Sequence, residues 1–87
     1  MARILLIDDD DSVRRALRLT LTEFGHTVIE ARDGQEGLKL FPQANADLVI
    51  TDIVMPEKDG IEVLIELRKK QPPVNIIAIS GGGRLSL

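Results

Sequence analysis

The sequence predicts an α/β fold in which a parallel β-sheet is covered by helices on both faces. Short apolar runs alternate along the chain with segments of helical periodicity, in the order βαβαβαβ. The apolar runs are continuous, which is typical of strands buried on both faces. Strands that alternate with helices pair in parallel through right-handed crossovers. We therefore expect one doubly wound sheet in a single small domain.

The first strand and the first helix follow from the hydrophobic pattern. Residues 4–7 form a continuous apolar run that ends in four consecutive aspartates, residues 8–11. From Ser12 the apolar positions recur at steps of three and four as far as Phe24, which predicts an amphipathic helix that buries Phe24. Gly25 then provides a helix stop. The aspartates therefore lie where the strand passes into the helix.

The second strand and the second helix are shorter. Residues 27–31 are rich in β-branched side chains and predict a strand. Residues 35–41 predict a helix, in which Gly37 costs about 1 kcal/mol relative to alanine. Because proline cannot continue a helix, we expect this one to end before Pro42.

The second half of the chain repeats the pattern. Residues 48–51 predict a third strand with Asp52 directly at its end, and a third helix begins at about Gly60. Residues 74–79 predict a fourth strand, and residues 81–87 a Gly-rich flexible tail. The third helix is expected to bury Ile61, Leu64, Ile65 and Leu67.

Composition and charge argue against several classes of function. The net charge is −3 and the pI is about 5.0, with Lys and Arg scattered along the chain, which argues against nucleic-acid binding. The absence of cysteine excludes disulfides and thiolate metal sites. The first apolar run is too short for a signal peptide or a membrane span. We therefore expect a cytoplasmic protein without a membrane or nucleic-acid partner.

Acidic residues follow two of the predicted strands. Asp8 and Asp9 come directly after the first strand, and Asp52 comes after the third. In doubly wound sheets ligands bind beyond the carboxyl ends of the strands, so we expect these carboxylates to converge. Three carboxylates at close range repel one another unless a cation lies among them. Oxygen ligands with open positions for water and phosphate favour Mg²⁺, and the sequence therefore predicts a magnesium site.

Three motifs carry a resemblance to a known family. They are Leu-Leu-Ile-Asp-Asp-Asp-Asp-Ser-Val-Arg at residues 5–14, Asp-Ile-Val-Met-Pro at 52–56 with Asp-Gly at 59–60, and Ile-Ala-Ile-Ser-Gly at 77–81. Their order and spacing resemble the receiver domain of bacterial response regulators in two-component signalling. The resemblance implies a flavodoxin-like fold and a signalling module rather than an enzyme.

The same resemblance implies roles for individual residues. Asp52 would be the phosphoacceptor, and Ser80 would turn its hydroxyl toward the phosphoryl group. Mg²⁺ would be held by Asp8, Asp9, Asp52 and the backbone carbonyl of Val54, with Asp8 acting through a water. The phosphodonor would be a phosphohistidine on a sensor histidine kinase, which would dock largely on the first helix.

The sequence also departs from the family pattern. A receiver domain continues with a fifth strand, whose lysine pairs with the phosphoryl group, and with further helices. This sequence ends at Leu87 without them, so residues 1–80 resemble an incomplete receiver domain in which phosphorylation should be impaired. The fourth strand then becomes an apolar sheet edge. We expect the chain to self-associate, by pairing at this edge or by exchange of an element at residues 81–83, unless it is a piece of a longer protein.

Two other functions are compatible with the sequence. Residues 4–12 nearly match the haloacid-dehalogenase phosphatase motif, in which Asp8 would be the nucleophile and Asp10 the acid/base. Against this enzyme, position 12 is serine and the chain is short. Asp10 and Asp11 also suit the start of a helix, because acidic side chains stabilise a helix N-terminus. The remaining alternative is a truncated receiver that acts through binding alone.

Overall fold

A computed structural model describes residues 1–53, 60–70 and 74–79. These residues form a parallel four-stranded sheet in the order β2-β1-β3-β4, which gives the first four positions of the flavodoxin-like order. The predicted α/β class and its doubly wound sheet are confirmed. The elements are β1 (Arg3–Ile7), α1 (Asp11–Glu23), β2 (Thr27–Ala31), α2 (Gly34–Ala44), β3 (Leu48–Asp52), α3 (Gly60–Arg68) and β4 (Asn75–Ile79).

The strand β1 lies at the centre of the sheet and separates two apolar clusters. Ile4 and Leu6 face α1, where they form a cluster with Ile50 against which Leu17 and Leu21 pack. The alternate residues of β1 face α2 and α3, because successive side chains of a strand point to opposite faces. This second cluster contains Leu5, Ile7, Ala31, Val49, Val63 and Leu67. The continuous apolar run of β1 is therefore explained by burial on both faces.

Acidic side chains begin the first two helices. The carboxylate of Asp10 accepts hydrogen bonds from the backbone N–H groups of Ser12 and Val13, so Asp10 is the N-cap of α1. Asp33 accepts a hydrogen bond from the N–H of Glu36 and is the N-cap of α2. The prediction that Asp10 serves as a helix-start residue is confirmed.

The predicted end of α2 before Pro42 is wrong. The helix runs through Pro42 to Ala44 and ends at Asn45, which adopts a left-handed conformation with φ 50°. Because Pro42 lies in the last turn, only two helical residues follow it, and its missing N–H removes a single helical hydrogen bond. The left-handed residue, rather than the proline, therefore ends the helix.

The predicted burial of Phe24 is also wrong. Phe24 is 75% exposed, and it is the C-cap residue that follows the last residue of α1. The backbone at a cap position leaves the helical path, so the helical periodicity no longer sets the direction of its side chain. Phe41, in contrast, packs against the cluster beneath α2 and α3.

The buried face of α3 agrees with the prediction at Leu67 and differs from it at Ile61 and Ile65. Val63 and Leu67 are fully buried, whereas Ile61 and Ile65 are 55% and 52% exposed. This helix carries apolar side chains around most of its circumference, so its periodicity does not select one face. Only the position of α3 against the sheet decides which apolar residues enter the core.

The strand β4 forms one edge of the sheet within the described residues. Ile76 and Ile79 are half-buried against the two apolar clusters, whereas Ile77 is 49% exposed. Ile77 is in register with Ile50 and shares its face, which is the face that α1 covers over β1 and β2. The predicted tail, residues 81–87, lies outside the described residues. None of the described helices is long and apolar enough to span a bilayer.

Replacement of Gly37 by alanine should change the free energy of unfolding in the direction opposite to the one that helix propensity predicts. A Cβ atom at this position would lie 2.7 Å from Cγ1 of Ile7, a core residue of β1 that is fully buried. We therefore expect Gly37→Ala to lower the free energy of unfolding by about 1–3 kcal/mol through overpacking, although alanine favours the helix by about 1 kcal/mol.

Urea denaturation followed by circular dichroism measures this change. Lys39→Ala is the control on the same helix, because Lys39 is exposed and its replacement should change the stability by less than about 0.5 kcal/mol. A Gly37→Ala protein as stable as the wild type would contradict close packing of α2 on β1.

Candidate functional site

Three carboxylates meet at the carboxyl end of the sheet. Parallel pairing aligns Ile7 of β1 with Thr51 of β3, so the next residue of each strand, Asp8 and Asp52, reaches the same edge. Carboxylate oxygens of Asp8, Asp9 and Asp52 all lie within 4.8 Å of one another. Asp8 and Asp52 are each 1% exposed, whereas Asp9 is exposed and forms the solvent side of the cluster. We call these three residues the acidic cluster.

The backbone and one carboxylate oxygen of Asp8 are held by three different segments. Its N–H donates to the carbonyl of Ala31 in β2 at 3.1 Å. Its Oδ1 accepts from the N–H of Asp10 at 2.9 Å, and its carbonyl accepts from Nη1 of Arg14 at 2.8 Å. Its Oδ2 is buried and has no hydrogen-bond partner in the described part of the chain. One oxygen of Asp8 is therefore fixed, while the other remains available as a ligand.

Burial raises the pKa of Asp8 above its usual value of 3.8. The hydrogen bond from the N–H of Asp10 opposes this effect, and the negative charges of Asp52, Asp9 and Asp10 raise the pKa further. Both causes reflect the cost of an anion in a buried position beside other anions. A cation among these carboxylates would remove that cost.

The acidic cluster fits a hard divalent cation. Its possible ligands are carboxylate oxygens, and two of the three residues are fixed in the sheet. An unsatisfied buried carboxylate oxygen is uncommon in folded proteins, and a cation or one of its bound waters would satisfy Asp8 Oδ2. Few protein ligands and an exposed side suit Mg²⁺, which keeps several waters when it binds.

The remaining predicted site residues are Val54, Ser80 and, for the phosphatase alternative, Asp10. Val54 and Ser80 lie outside the described residues, so their predicted roles stay predictions. The strand β4 ends at Ile79, which is in register with Asp52, and the carbonyl of Ile79 accepts a hydrogen bond from the N–H of Ile53 at 2.8 Å. Asp10 is occupied as the N-cap of α1 and is not a member of the acidic cluster, which argues against a phosphatase acid/base at this position.

Sequence reasoning missed a network of charged residues beside the cluster. Arg14 bonds to Glu30 of β2 at 3.0 Å, and Arg18 bonds to the other oxygen of Glu30 at 2.9 Å. The signal was present, because Glu30 is the one charged residue in β2 and Arg14 and Arg18 are spaced by one helical turn. The register pairs Glu30 with Leu6, so it lies on the face that α1 covers.

The sheet order and the acidic cluster together define a flavodoxin-like α/β domain with three clustered carboxylates at the point where the strand order reverses. The family model of the response regulator receiver domain matches residues 4–86. The chain therefore belongs to this family, and its class is that of the receiver domains of two-component response regulators. The prediction made from the three sequence motifs is confirmed.

Individual relatives agree with this assignment. The chain is 38% identical over 84 residues to the transcriptional regulatory protein GlrR of Escherichia coli K12, which covers 97% of this chain and 19% of that protein. The response regulator TrrA of Thermotoga maritima, solved in complex with Mg²⁺-BeF, is 44% identical with a TM-score of 0.86 over 92% of this chain and 70% of that one.

TrrA has also been solved in complex with the histidine kinase ThkA. That structure has a TM-score of 0.87 and 40% identity over 100% of this chain and 75% of the matched chain. This chain therefore spans about a fifth of the curated relative GlrR and about three quarters of the matched structure.

The buried charge of Asp8 predicts a stability change without any ligand. In the absence of divalent cations, Asp8→Asn should raise the free energy of unfolding at neutral pH by about 1 kcal/mol, because it removes a buried negative charge and its repulsion of the neighbouring carboxylates. A raised pKa in the folded state means that ionisation of Asp8 opposes folding. The advantage of the variant should therefore shrink as the pH falls through the folded-state pKa and vanish below about pH 4.

Urea denaturation in EDTA at several pH values measures this difference. Asp47→Asn is the control, since Asp47 is exposed and lies at the opposite end of the sheet, before β3, and asparagine keeps an oxygen that can accept the hydrogen bond from the N–H of Arg3. Added Mg²⁺ should stabilise the wild type and the control more than Asp8→Asn. An Asp8→Asn protein that is less stable than the wild type in EDTA would show that the ionised carboxylate of Asp8 does not destabilise the metal-free protein.

Proposed function

We propose that this receiver domain accepts a phosphoryl group on Asp52. The observation that carries the proposal is the position of Asp52 at the end of β3, within 4.8 Å of the carboxylate oxygens of Asp8 and Asp9. A carboxylate oxygen of Asp52 attacks phosphorus and forms a new P–O bond, while the bond from phosphorus to the donor breaks and the donor leaves with that electron pair. The product is an aspartyl phosphate.

Asp8, Asp9 and Asp52 are the residues of this chain that would hold Mg²⁺. When bound, the ion supplies positive charge that offsets the repulsion between the Asp52 carboxylate and an incoming phosphoryl group. The unpartnered Oδ2 of Asp8 supports this assignment. We keep the carbonyl of Val54 as a further proposed ligand and the hydroxyl of Ser80 as the proposed switch group.

We infer that the phosphodonor is a sensor histidine kinase in the cytoplasm. The relative TrrA, which forms a complex with the kinase ThkA, supports this partner. Because Asp52 is only 1% exposed, transfer requires the site to open toward the donor.

Phosphorylation can be tested with a small-molecule donor. The protein is incubated with acetyl phosphate and Mg²⁺, the acyl phosphate is trapped, and the modified residue is mapped by mass spectrometry. We expect label on Asp52, none in Asp52→Asn, and none when EDTA replaces Mg²⁺. Asp47→Asn carries the same chemical change away from the acidic cluster and should be labelled like the wild type.

The same experiment separates the alternatives. Label on Asp8 together with turnover of phosphate esters would support the phosphatase. Absence of label on every residue would support the binding-only receiver and contradict phosphorylation of this chain. An effect of Asp8→Asn on the amount of label, without loss of its position on Asp52, would agree with Asp8 as a metal ligand.

We also propose that the edge of β4 pairs with a second copy of the chain. Its outer edge bonds to no other strand in residues 1–53, 60–70 and 74–79, and Ile77 is 49% exposed on the uncovered face. An exposed apolar strand at a sheet edge is a template for pairing. The partner is a second copy because the same edge and the same face are present in every molecule.

Sedimentation velocity at increasing concentration tests this pairing. We expect the wild type to associate at high micromolar concentration and Ile77→Lys to remain monomeric, because a lysine on an edge strand opposes pairing. The control is Ile65→Lys, which places the same side chain at a position on α3 with similar exposure, 52%. A wild type that stays monomeric at these concentrations would exclude self-association.

A further inference from the structure

The side chain of Arg14 connects three elements next to the acidic cluster. Its Nη1 donates to the backbone carbonyl of Asp8 at 2.8 Å, and its Nη2 donates to the carboxylate of Asp11 at 2.6 Å. Its Nε donates to Glu30 of β2 at 3.0 Å. One guanidinium group therefore joins the end of β1, the first turn of α1 and the strand β2.

This guanidinium is largely buried and permanently charged. Its side chain is 14% exposed, and it lines a surface groove of about 400 Å³ together with Glu30, Arg32 and Glu36. Burial alone would lower the pKa of Arg14, but the hydrogen bonds to Asp11 and Glu30 outweigh burial and raise it. Its charge is offset locally by two carboxylates. The planar guanidinium of Arg14 therefore acts mainly by fixing the positions of the groups to which it donates hydrogen bonds, rather than through its charge.

The contact between Arg14 and Asp8 occupies no carboxylate oxygen of Asp8. Arg14 binds the backbone carbonyl of Asp8, not its carboxylate. Because the peptide bond is planar, holding this carbonyl also holds the amide nitrogen of Asp9 and thus the direction in which the chain leaves Asp8. Asp9 has no hydrogen bond or ion pair of its own among those assigned in the described residues, so its placement depends on the peptide before it.

We propose that Arg14 is a positioning residue of the metal site, which holds the Asp8–Asp9 peptide in the orientation that brings both side chains against Asp52. This role rests on the proposed binding of Mg²⁺ by the acidic cluster. Two effects of removing Arg14 oppose each other. We call the hydrogen bond from Arg14 to the carbonyl of Asp8 the clamp. Loss of the positive charge favours binding of a cation nearby, whereas loss of the clamp lets Asp8 and Asp9 move. Residues that orient metal ligands typically contribute about 10–100-fold to metal affinity, and the clamp therefore dominates.

A pair of neighbouring arginines separates the two effects. Arg14→Gln removes the clamp and one positive charge, and Arg15→Gln removes one positive charge only, because Arg15 is exposed and forms no ion pair within the described residues. Arg14→Lys keeps the charge and one donor but loses the planar guanidinium. Binding of Mg²⁺ is measured by titration calorimetry and binding of Mn²⁺ by electron paramagnetic resonance, since the chain has neither Trp nor Tyr to report binding by fluorescence.

We expect Arg14→Gln to bind Mg²⁺ about 10-fold more weakly than Arg15→Gln, with Arg14→Lys between them. In the metal-free proteins, the backbone amide resonance of Asp9 should shift in Arg14→Gln and stay in place in Arg15→Gln. Unfolding curves in EDTA show whether each variant is folded at the temperature of the titration. Should Arg14→Gln fail to fold, Arg14→Lys and Glu30→Gln, which weakens the hold of β2 on Arg14, test the same clamp.

The outcomes separate this role from the metal site itself. No binding of Mg²⁺ or Mn²⁺ by the wild type overturns the metal site, and with it the role of Arg14. Binding by the wild type with equal affinities in Arg14→Gln and Arg15→Gln overturns only the clamp. A gain in affinity in Arg14→Gln would show that repulsion of the cation is the larger effect and would likewise overturn it.

Discussion

The cost of burying the carboxylate of Asp8 beside that of Asp52 is the constraint that the rest of the site has to offset. Parallel pairing of β1 with β3 makes it unavoidable, because the register that aligns Ile7 with Thr51 brings the next residue of each strand to the same edge. Neither side chain can turn out to solvent without leaving the sheet. The fold therefore accepts a local loss of stability at the position where a cation and a phosphoryl group would bind, and the central apolar strands supply the stability that compensates for it.

This arrangement links the stability of the domain to its proposed ligand. Charges that destabilise the metal-free protein become favourable contacts when a cation binds, so the same residues both lower the stability and confer affinity. The hydrogen bonds to Asp8 determine how much of that affinity is realised. They fix its N–H, its carbonyl and Oδ1, and they leave Oδ2 unpartnered within the described residues. A site held in this way does not need to reorganise before it binds.

The sequence predicted those features that depend on local signals and on topology. Continuous apolar runs identified the strands, and the rule for ligand sites in doubly wound sheets predicted that Asp8 and Asp52 converge. Features that depend on tertiary contacts were not predicted. The apolar ring of α3 contains no signal that chooses Val63 over Ile65, and the extent of α2 past Pro42 depends on the left-handed Asn45. The contacts of Arg14 join elements that only the fold brings together.

The four consecutive aspartates show why composition alone could not assign the site. They are chemically identical, yet their surroundings differ because the strand ends and the helix begins within the same four residues. Asp8 still bonds to β2 and stays buried, Asp10 caps α1, and Asp11 pairs with Arg14. Asp9 lies between the two elements and is exposed, so it can turn toward Asp52 from the solvent side. The number of residues between each aspartate and Ile7, the last residue of β1, therefore determines its role. If β1 were shifted by one residue relative to β3, Asp9 would take the buried position that Asp8 occupies next to Asp52.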